Sequence, residues 1–345
     1  MNTPPDVRAL PKVLLHEHLD GSLRVATLFE LLHARGLPCP AADPEALGRW
    51  FDEHAHAGSL VEYLRGFDLT VAAMATPAAL ERVAFEAAED ARADGCVLAE
   101  FRVAPLLFEA HGLSGEDSVE ALLAGLRRSV LPSGLIVCAM RHLPAAETLR
   151  AARLALAFRG QGVVAFDLAG AERGHPPGDH AQALRLARGG GLPLTLHAGE
   201  ADDGERVIEA LRLGAARIGH GIKLADALGD PRRSALVDEA RERGAHFEVC
   251  PTSNVHTGAV ASIAEHPITA LWRAGLSVGV NTDNRLMSRI TLTSECEALL
   301  AHTPLTLHDL TRMQREAAQH SFLGADAKAA ATAALDRYSA ASSST

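Results

Sequence analysis

The chain has 345 residues, 48% hydrophobic and 22% charged, a composition that supports a large core in a soluble protein. Its 33 Lys/Arg and 43 Asp/Glu give a net charge of −10 with no dense basic run, which argues against nucleic acid as a partner and disfavours a phosphate-rich ligand. The five cysteines (Cys39, Cys96, Cys138, Cys250 and Cys296) form no Cys-x-x-Cys pair, which argues against a disulfide framework or a cysteine zinc cluster and fits a reducing, cytoplasmic setting.

The Pro-rich start, Met1 to Leu10, lacks a charged-then-apolar signal pattern, and no apolar run reaches the length of a membrane span. The first strong element is KVLLHEHL (12–19), read as a strand. Alternation along it puts His16, His18 and Asp20 on one side and Glu17 on the other. A long stretch follows, roughly 20–96, with a helix at 24–35, a segment bearing Trp50, Phe51, His54 and His56, and an apolar stripe of Leu60, Tyr63, Leu64 and Phe67. The i, i+3, i+4, i+7 spacing of that stripe marks one helix face, serving either core packing or closure over a site at the end of the first strand.

Further strand-like runs come at 97–103, 135–140, 163–168, 193–198, 217–222, 246–250 and 276–282. Helical periods lie between them at 78–94, 118–130, 145–160, 179–189, 204–213, 234–243 and 267–274. Strand alternating with helix means parallel βαβ units. Eight of them predict a (β/α)₈ barrel of the TIM type, in a single domain with a helical insertion after strand 1. A doubly wound open sheet is the competitor, but the first strand ends in His-Leu-Asp-Gly and not in a Gly-rich phosphate turn. The tail Ser339 to Thr345 is small and polar and is expected to fray.

Ionisable groups gather where the strands end: His16, His18 and Asp20; Asp167; His197 and Glu200; His220; Asp283. Singly, each has a bland alternative as a helix cap or a satisfied buried histidine. In a barrel the strand ends share one face, so together they predict a metal or acid–base site. The best ligand set is His16, His18, His197 and Asp283, which suits one Zn²⁺ with a position left for water. Val163 to Gly170 contains no Lys to bridge a second metal. His220 then remains to orient or deprotonate the water, and Glu200, three residues beyond His197, is placed as a proton donor.

The motifs LPKVLLHEHLDG (10–21), VVAFDLAGAE (163–172), LHAGE (196–200), RIGHG (217–221), CPTSN (250–254) and VNTDN (280–284) occur in the order found in one family. The chain resembles the adenosine deaminase branch of the amidohydrolase superfamily almost end to end. The His-x-Glu and Pro-Cys-x-x-Cys signature of cytidine-deaminase-type folds is absent. The resemblance implies one Zn²⁺ and hydrolytic deamination of adenosine and 2′-deoxyadenosine to inosine and 2′-deoxyinosine. It implies His16, His18, His197 and Asp283 as zinc ligands, and Glu200 as the group that protonates purine N1. It implies His220 as the positioner of the hydroxide and Asp283 as the acceptor of the water proton. Gly170 is the implied backbone donor to purine N3, and Asp20 the partner of the ribose 5′-hydroxyl, with His18 beside it among the substrate-binding residues. The stripe Leu60, Tyr63, Leu64 and Phe67 falls where the family has its apolar lid.

At strand 8 the family commonly reads Asp-Asp-Pro, whereas this chain reads Asp283-Asn284-Arg285. The second position faces purine N7, which only accepts hydrogen bonds. An Asn amide donates at any pH, where a carboxyl must first be protonated. Relatives with the same chemistry act on free adenine, AMP or aminodeoxyfutalosine. Asp20 favours a free 5′-hydroxyl over a phosphate, and aminodeoxyfutalosine is the main alternative within the family. A barrel that cleaves esters or amides, and an inactive nucleoside-binding protein, are the readings from other classes.

Overall fold

The computed structural model describes residues 6–55 and 66–342. Eight strands form one sheet: β1 (Lys12–His18), β2 (Cys96–Val103), β3 (Ser133–Met140), β4 (Val163–Ala169), β5 (Leu194–Ala198), β6 (Ala215–His220), β7 (His246–Val249) and β8 (Ser277–Val280). Neighbours in the sheet follow chain order from β1 to β8, and every paired strand is parallel. Almost every strand residue is buried, as a sheet enclosed by its own crossover helices requires. The bounds lie within two residues of those expected from sequence. The fold is a (β/α)₈ TIM barrel.

Side chains complete the seam between β8 and β1. Gln314 Oε1 accepts from Val13 N at 2.6 Å, and Asn281 Oδ1 accepts from Leu15 N at 2.8 Å and His16 N at 3.1 Å. Beyond them the backbones meet directly, with His18 N donating to Asp283 O at 2.7 Å and Asp283 N to His16 O at 2.9 Å. The turn after β8 is therefore tied to the turn after β1, and Asp283 is held beside the two histidines.

The insertion after β1 contains the helices Val25–Ala34, Pro44–Ala55 and Phe67–Met74, before the crossover helix Pro77–Ala93. Leu60, Tyr63, Leu64 and His56 lie outside the described residues. Three long helices follow β8: Leu292–His302, Leu307–His320 and Ala325–Ser342. The last differs from the frayed tail expected from Ser339, because Ser339 Oγ bonds Leu335 O at 3.0 Å and accepts from Arg315 at 3.1 Å.

The middle of the barrel is charged. Arg102 reaches Asp167 at 2.9 Å and Glu248 at 2.6 Å, while Arg217 reaches Glu248 at 2.6 Å and Glu100 at 2.7 Å. All five side chains are fully buried. Three carboxylates against two guanidiniums leave an excess of negative charge directly beneath the histidines.

Candidate metal centre and substrate pocket

His16 and His18 occupy alternate positions at the end of β1 and project into the barrel mouth. The alternation stops there. Residues Leu19–Gly21 form a 3₁₀ turn, so Asp20 leaves the strand face and lines the cavity above the histidines. Glu17 points the other way, as its place in the strand requires, accepting from Thr282 Oγ1 at 2.8 Å and pairing with Arg285 at 2.9 Å. Arg285, where the resemblance leads one to look for Pro, therefore anchors the strand 8 turn to β1.

Two imidazoles are oriented by carboxylates below them. His16 Nδ1 bonds Glu248 Oε2 at 2.9 Å, and His197 Nδ1 lies 3.0 Å from Asp167 Oδ2. Each carboxylate holds the proton on Nδ1 and turns the Nε2 lone pair upward. The Nε2 atoms of His18 and His197 are 3.2 Å apart, and Asp283 Oδ1 lies 3.3 Å from His16 Nε2 and 3.5 Å from His18 Nε2. His16 Nε2 is buried with no hydrogen-bond partner. Such a convergence of bare nitrogen lone pairs and a carboxylate fits a bound divalent cation. The ligand atoms of His16, His197, His220 and Asp283 lie within 4.8 Å of one another, and His18 approaches the same group, so five side chains compete for four places.

Close packing makes this possible. A Cβ at Gly219 would stand 3.0 Å from His16 Cε1 and 3.3 Å from His197 Cα, so only glycine lets β6 pass the two imidazoles without displacing them. His220 and Asp283 both take φ of +60°, a left-handed conformation rare for residues with a Cβ and one that concentrates at functional sites.

Burial lowers the pKa of His18, His197 and His220, with neighbouring imidazoles adding to the effect, so all three are neutral and available as ligands or donors. Burial works to raise Asp283, but the histidines packed around its carboxylate, His16 first, outweigh it and hold the group well below its ordinary range. Glu200 moves the opposite way. Burial raises its pKa well above the usual value, and the negative charges of Asp283 and Glu172 add to the rise. Both effects favour the protonated acid, and the carboxyl lies 3.7 Å from His220 Nε2.

The loop that carries Glu200 is gathered around Glu172, whose carboxylate accepts from the backbone N–H groups of Gly199 (2.5 Å), Glu200 (3.0 Å), Ala201 (2.7 Å) and Asp202 (3.0 Å). Above the metal group opens a cavity of about 710 Å³, lined by His18, Asp20, Gly170, His197, Glu200, His220, Asp283 and Asn284. Its walls are mostly apolar, with Leu107, Met140 and Ala169 among them, and Phe67, Asp68 and Val71 border it from the inserted helix. Asp20 Oδ1 and Asn284 Oδ1 are buried there with no hydrogen-bond partner. Burial pushes the Asp20 carboxyl up to about 7.

The described residues thus bring together every candidate picked from sequence except Leu60, Tyr63 and Leu64. Sequence reading misses Glu248 and Glu172, and it records Asp167 only as a strand end. The available signal for Glu248 is a lone acid inside HFEVC, an otherwise buried strand.

A (β/α)₈ barrel whose strand ends converge on a His/Asp group that could hold a metal defines a hydrolase of the amidohydrolase kind. The adenosine deaminase family model matches residues 11–338. The chain is 43% identical over 340 residues to the adenosine deaminase of Mycobacterium tuberculosis, covering 94% of this chain and 93% of that one. It is 42% identical over 349 residues to that of Mycobacterium leprae, covering 96% of each. Among solved structures it resembles a Burkholderia ambifaria amidohydrolase with bound zinc, at a TM-score of 0.85 and 26% identity, covering 96% of this chain and 91% of that one. The chain belongs to the adenosine deaminase family.

Proposed function

We propose that this protein is a zinc-dependent deaminase that hydrolyses adenosine and 2′-deoxyadenosine to inosine and 2′-deoxyinosine with release of ammonia. The observation that carries the reading is the buried Glu200 carboxyl, 3.7 Å from His220 Nε2 and facing a cavity that also presents Asp283, Asn284 and Asp20. His16, His18, His197 and Asp283 would hold the metal, and imidazole with carboxylate suits Zn²⁺. When bound, the metal supplies Lewis acidity that brings the pKa of water towards neutrality.

The chain's own residues do the rest. Glu200 donates its proton to purine N1, which makes C6 electrophilic. His220 directs the attacking water to C6, and Asp283 accepts a proton from it. Asp283 passes that proton to the amino group, the C6–N bond breaks and ammonia leaves, and the C6 hydroxyl returns its proton to Glu200 to leave the C6 carbonyl of the product. The Gly170 backbone meets purine N3, and the Asn284 amide donates to N7. Asp20 and His18 hold the ribose end. A carboxylate at the 5′ position repels a 5′-phosphate, which favours a nucleoside over a nucleotide. Phe67 borders the cavity and contributes to its apolar wall. No described helix is long and apolar enough to cross a membrane, and we place the enzyme in the cytoplasm.

The test follows the ultraviolet absorbance change of zinc-loaded protein with adenosine, 2′-deoxyadenosine, adenine, AMP and aminodeoxyfutalosine in parallel. Turnover of the two nucleosides is expected to exceed that of the others. No turnover of adenosine sinks the proposal, and preference for aminodeoxyfutalosine replaces its substrate.

A further inference from the structure

We propose that Asn254 and His266 are positioning residues that lock His220 in the tautomer with its proton on Nε2. His220 therefore faces the reacting centre as a hydrogen-bond donor and not as a metal ligand. The effect on turnover rests on the deaminase reading above; the tautomer does not.

The argument starts at a group whose polarity is fixed. The backbone N–H of Ile268 can only donate, and it lies 3.1 Å from His266 Nδ1. That nitrogen must be the acceptor, so the proton of the neutral ring sits on Nε2. Burial brings the His266 pKa down to about 3, which keeps the ring neutral throughout the working range. His266 Nε2–H then needs an acceptor, and the Asn254 side chain stands 3.2 Å away. The Asn254 atom facing it must be the amide oxygen. The amide is planar and rigid, so its NH₂ end faces the other way, 3.0 Å from His220 Nδ1. An NH₂ group has no lone pair to offer. His220 Nδ1 is therefore the acceptor, and the His220 proton is on Nε2. Because the chain is anchored on a backbone N–H, this polarity holds however the amide oxygen and nitrogen are assigned. Asn254, His266 and His220 are all buried, so water does not compete at any link.

Two consequences follow. Five side chains crowd around four metal positions, and a ring nitrogen that carries a proton has no lone pair to give. His220 is excluded, and His16, His18, His197 and Asp283 remain. A neutral His220 in this tautomer also cannot take a proton through Nε2. It can only hold an oxygen by donating to it, so Asp283 is the acceptor for the proton of the attacking water.

The test reads the tautomer directly. Enzyme with ¹⁵N-labelled histidine rings is examined by two-bond ¹H–¹⁵N correlation, zinc-free and zinc-loaded, and the His220 signal is identified by its loss in His220→Gln. The wild type should show a protonated Nε2 and a bare Nδ1. In Asn254→Asp the carboxylate only accepts, so the pattern should reverse to a protonated Nδ1. On adenosine, kcat should then fall about 10–100-fold, the usual cost of losing an orienting partner, with KM changed less than about threefold. Because a buried carboxylate can unfold that variant, a second pair is measured. His266→Gln keeps an N–H donor towards Asn254 and should retain both the tautomer and most of kcat. His266→Phe removes the donor, lets the amide turn, and should give mixed tautomers with a lower kcat. A wild-type His220 protonated on Nδ1 overturns the proposal, as does an Asn254→Asp enzyme whose tautomer is unchanged. An Nε2-protonated His220 in a protein that leaves adenosine untouched sinks the substrate reading and spares the relay.

Discussion

His16 Nδ1 and Glu248 Oε2 are 2.9 Å apart with both side chains fully buried, and the same carboxylate also meets Arg102 and Arg217. Burial alone would raise the Glu248 pKa, but the two guanidiniums and His16 outweigh it and keep the group ionised. One carboxylate thus orients a candidate ligand and pairs with two buried guanidiniums. Glu248→Gln should weaken zinc binding about 10–100-fold, read by competition with a chelator. The same change should cost roughly 3–5 kcal/mol in denaturant unfolding, because it breaks two buried ion pairs and leaves guanidinium N–H groups of Arg102 and Arg217 without their charged acceptor. Unchanged zinc affinity would show that the carboxylate serves only the barrel core.

Glu200→Gln should retain zinc by metal analysis and lose about 10²–10⁴-fold in kcat. The sign of the pH dependence follows from the donor role. The pKa of Glu200 is raised, and the protonated form is the active one. Wild-type kcat should therefore fall as pH rises through that raised value. A kcat that climbs across the same range would mean that Glu200 works as a base.

The barrel is legible in the sequence because each strand is a short run of β-formers bounded by Gly or a polar turn. The upper site is legible because its residues sit at strand ends, where the fold gathers them. The layer beneath is not. Glu248 stands 232 positions from His16, and an inward acid in a buried strand has no local mark until its partners are placed. Asn254 and His266 are hidden for the same reason: only their hydrogen-bond partners distinguish them from ordinary buried polar residues. The helices after β8 had a readable mark. Thr291 with Ser294 and Thr306 with Asp309 both form capping boxes, the start signals for Leu292–His302 and Leu307–His320.

Asn284 stands hard against Gly21, where a Cβ would come within 1.9 Å of its Oδ1. An amide in this place donates to purine N7 at every pH, whereas a carboxyl donates only when protonated. Asn284→Asp should therefore narrow the pH profile from the alkaline side, raising KM for adenosine as the new carboxyl ionises and changing it little in acid. The profile is measured as kcat/KM from pH 5 to 9. A uniform loss at all pH values would remove N7 as the contact.

Asp20 Oδ1 has no partner among the described residues, as expected of a group that waits for a ligand hydroxyl. A site built to bond a hydroxyl discriminates against an analogue that lacks it. Wild-type kcat/KM should favour adenosine over 5′-deoxyadenosine by about 10–100-fold, the worth of a hydrogen bond to a buried acid. Asp20→Ala should bring the two substrates within a few-fold of each other. If the preference survives that change, another group reads the 5′ position.

Away from the pocket, Glu295 accepts from Thr252 N at 3.0 Å and from Thr252 Oγ1, joining the helix Leu292–His302 to the turn of helix that follows β7. Burial raises its pKa from 4.5 to about 7, against the lowering effect of the two Thr252 bonds. The linkage has a definite sign. Below about pH 4.5 the carboxyl is protonated folded or unfolded and carries no penalty. As pH rises towards 7 the unfolded chain ionises while the folded protein must keep the proton or bury a charge, so stability is lost across that window. Above pH 7 the loss is complete, about 3 kcal/mol at 1.36 kcal/mol per unit. Glu295→Gln removes the titration while its amide still bonds Thr252 N and Oγ1. Unfolding in urea at pH 5 and pH 8 should show the variant gaining on the wild type by about 2–3 kcal/mol at the higher pH, since other titrating groups cancel in the comparison. An equal difference between the two proteins at both pH values would show that Glu295 ionises no differently in the folded and unfolded states.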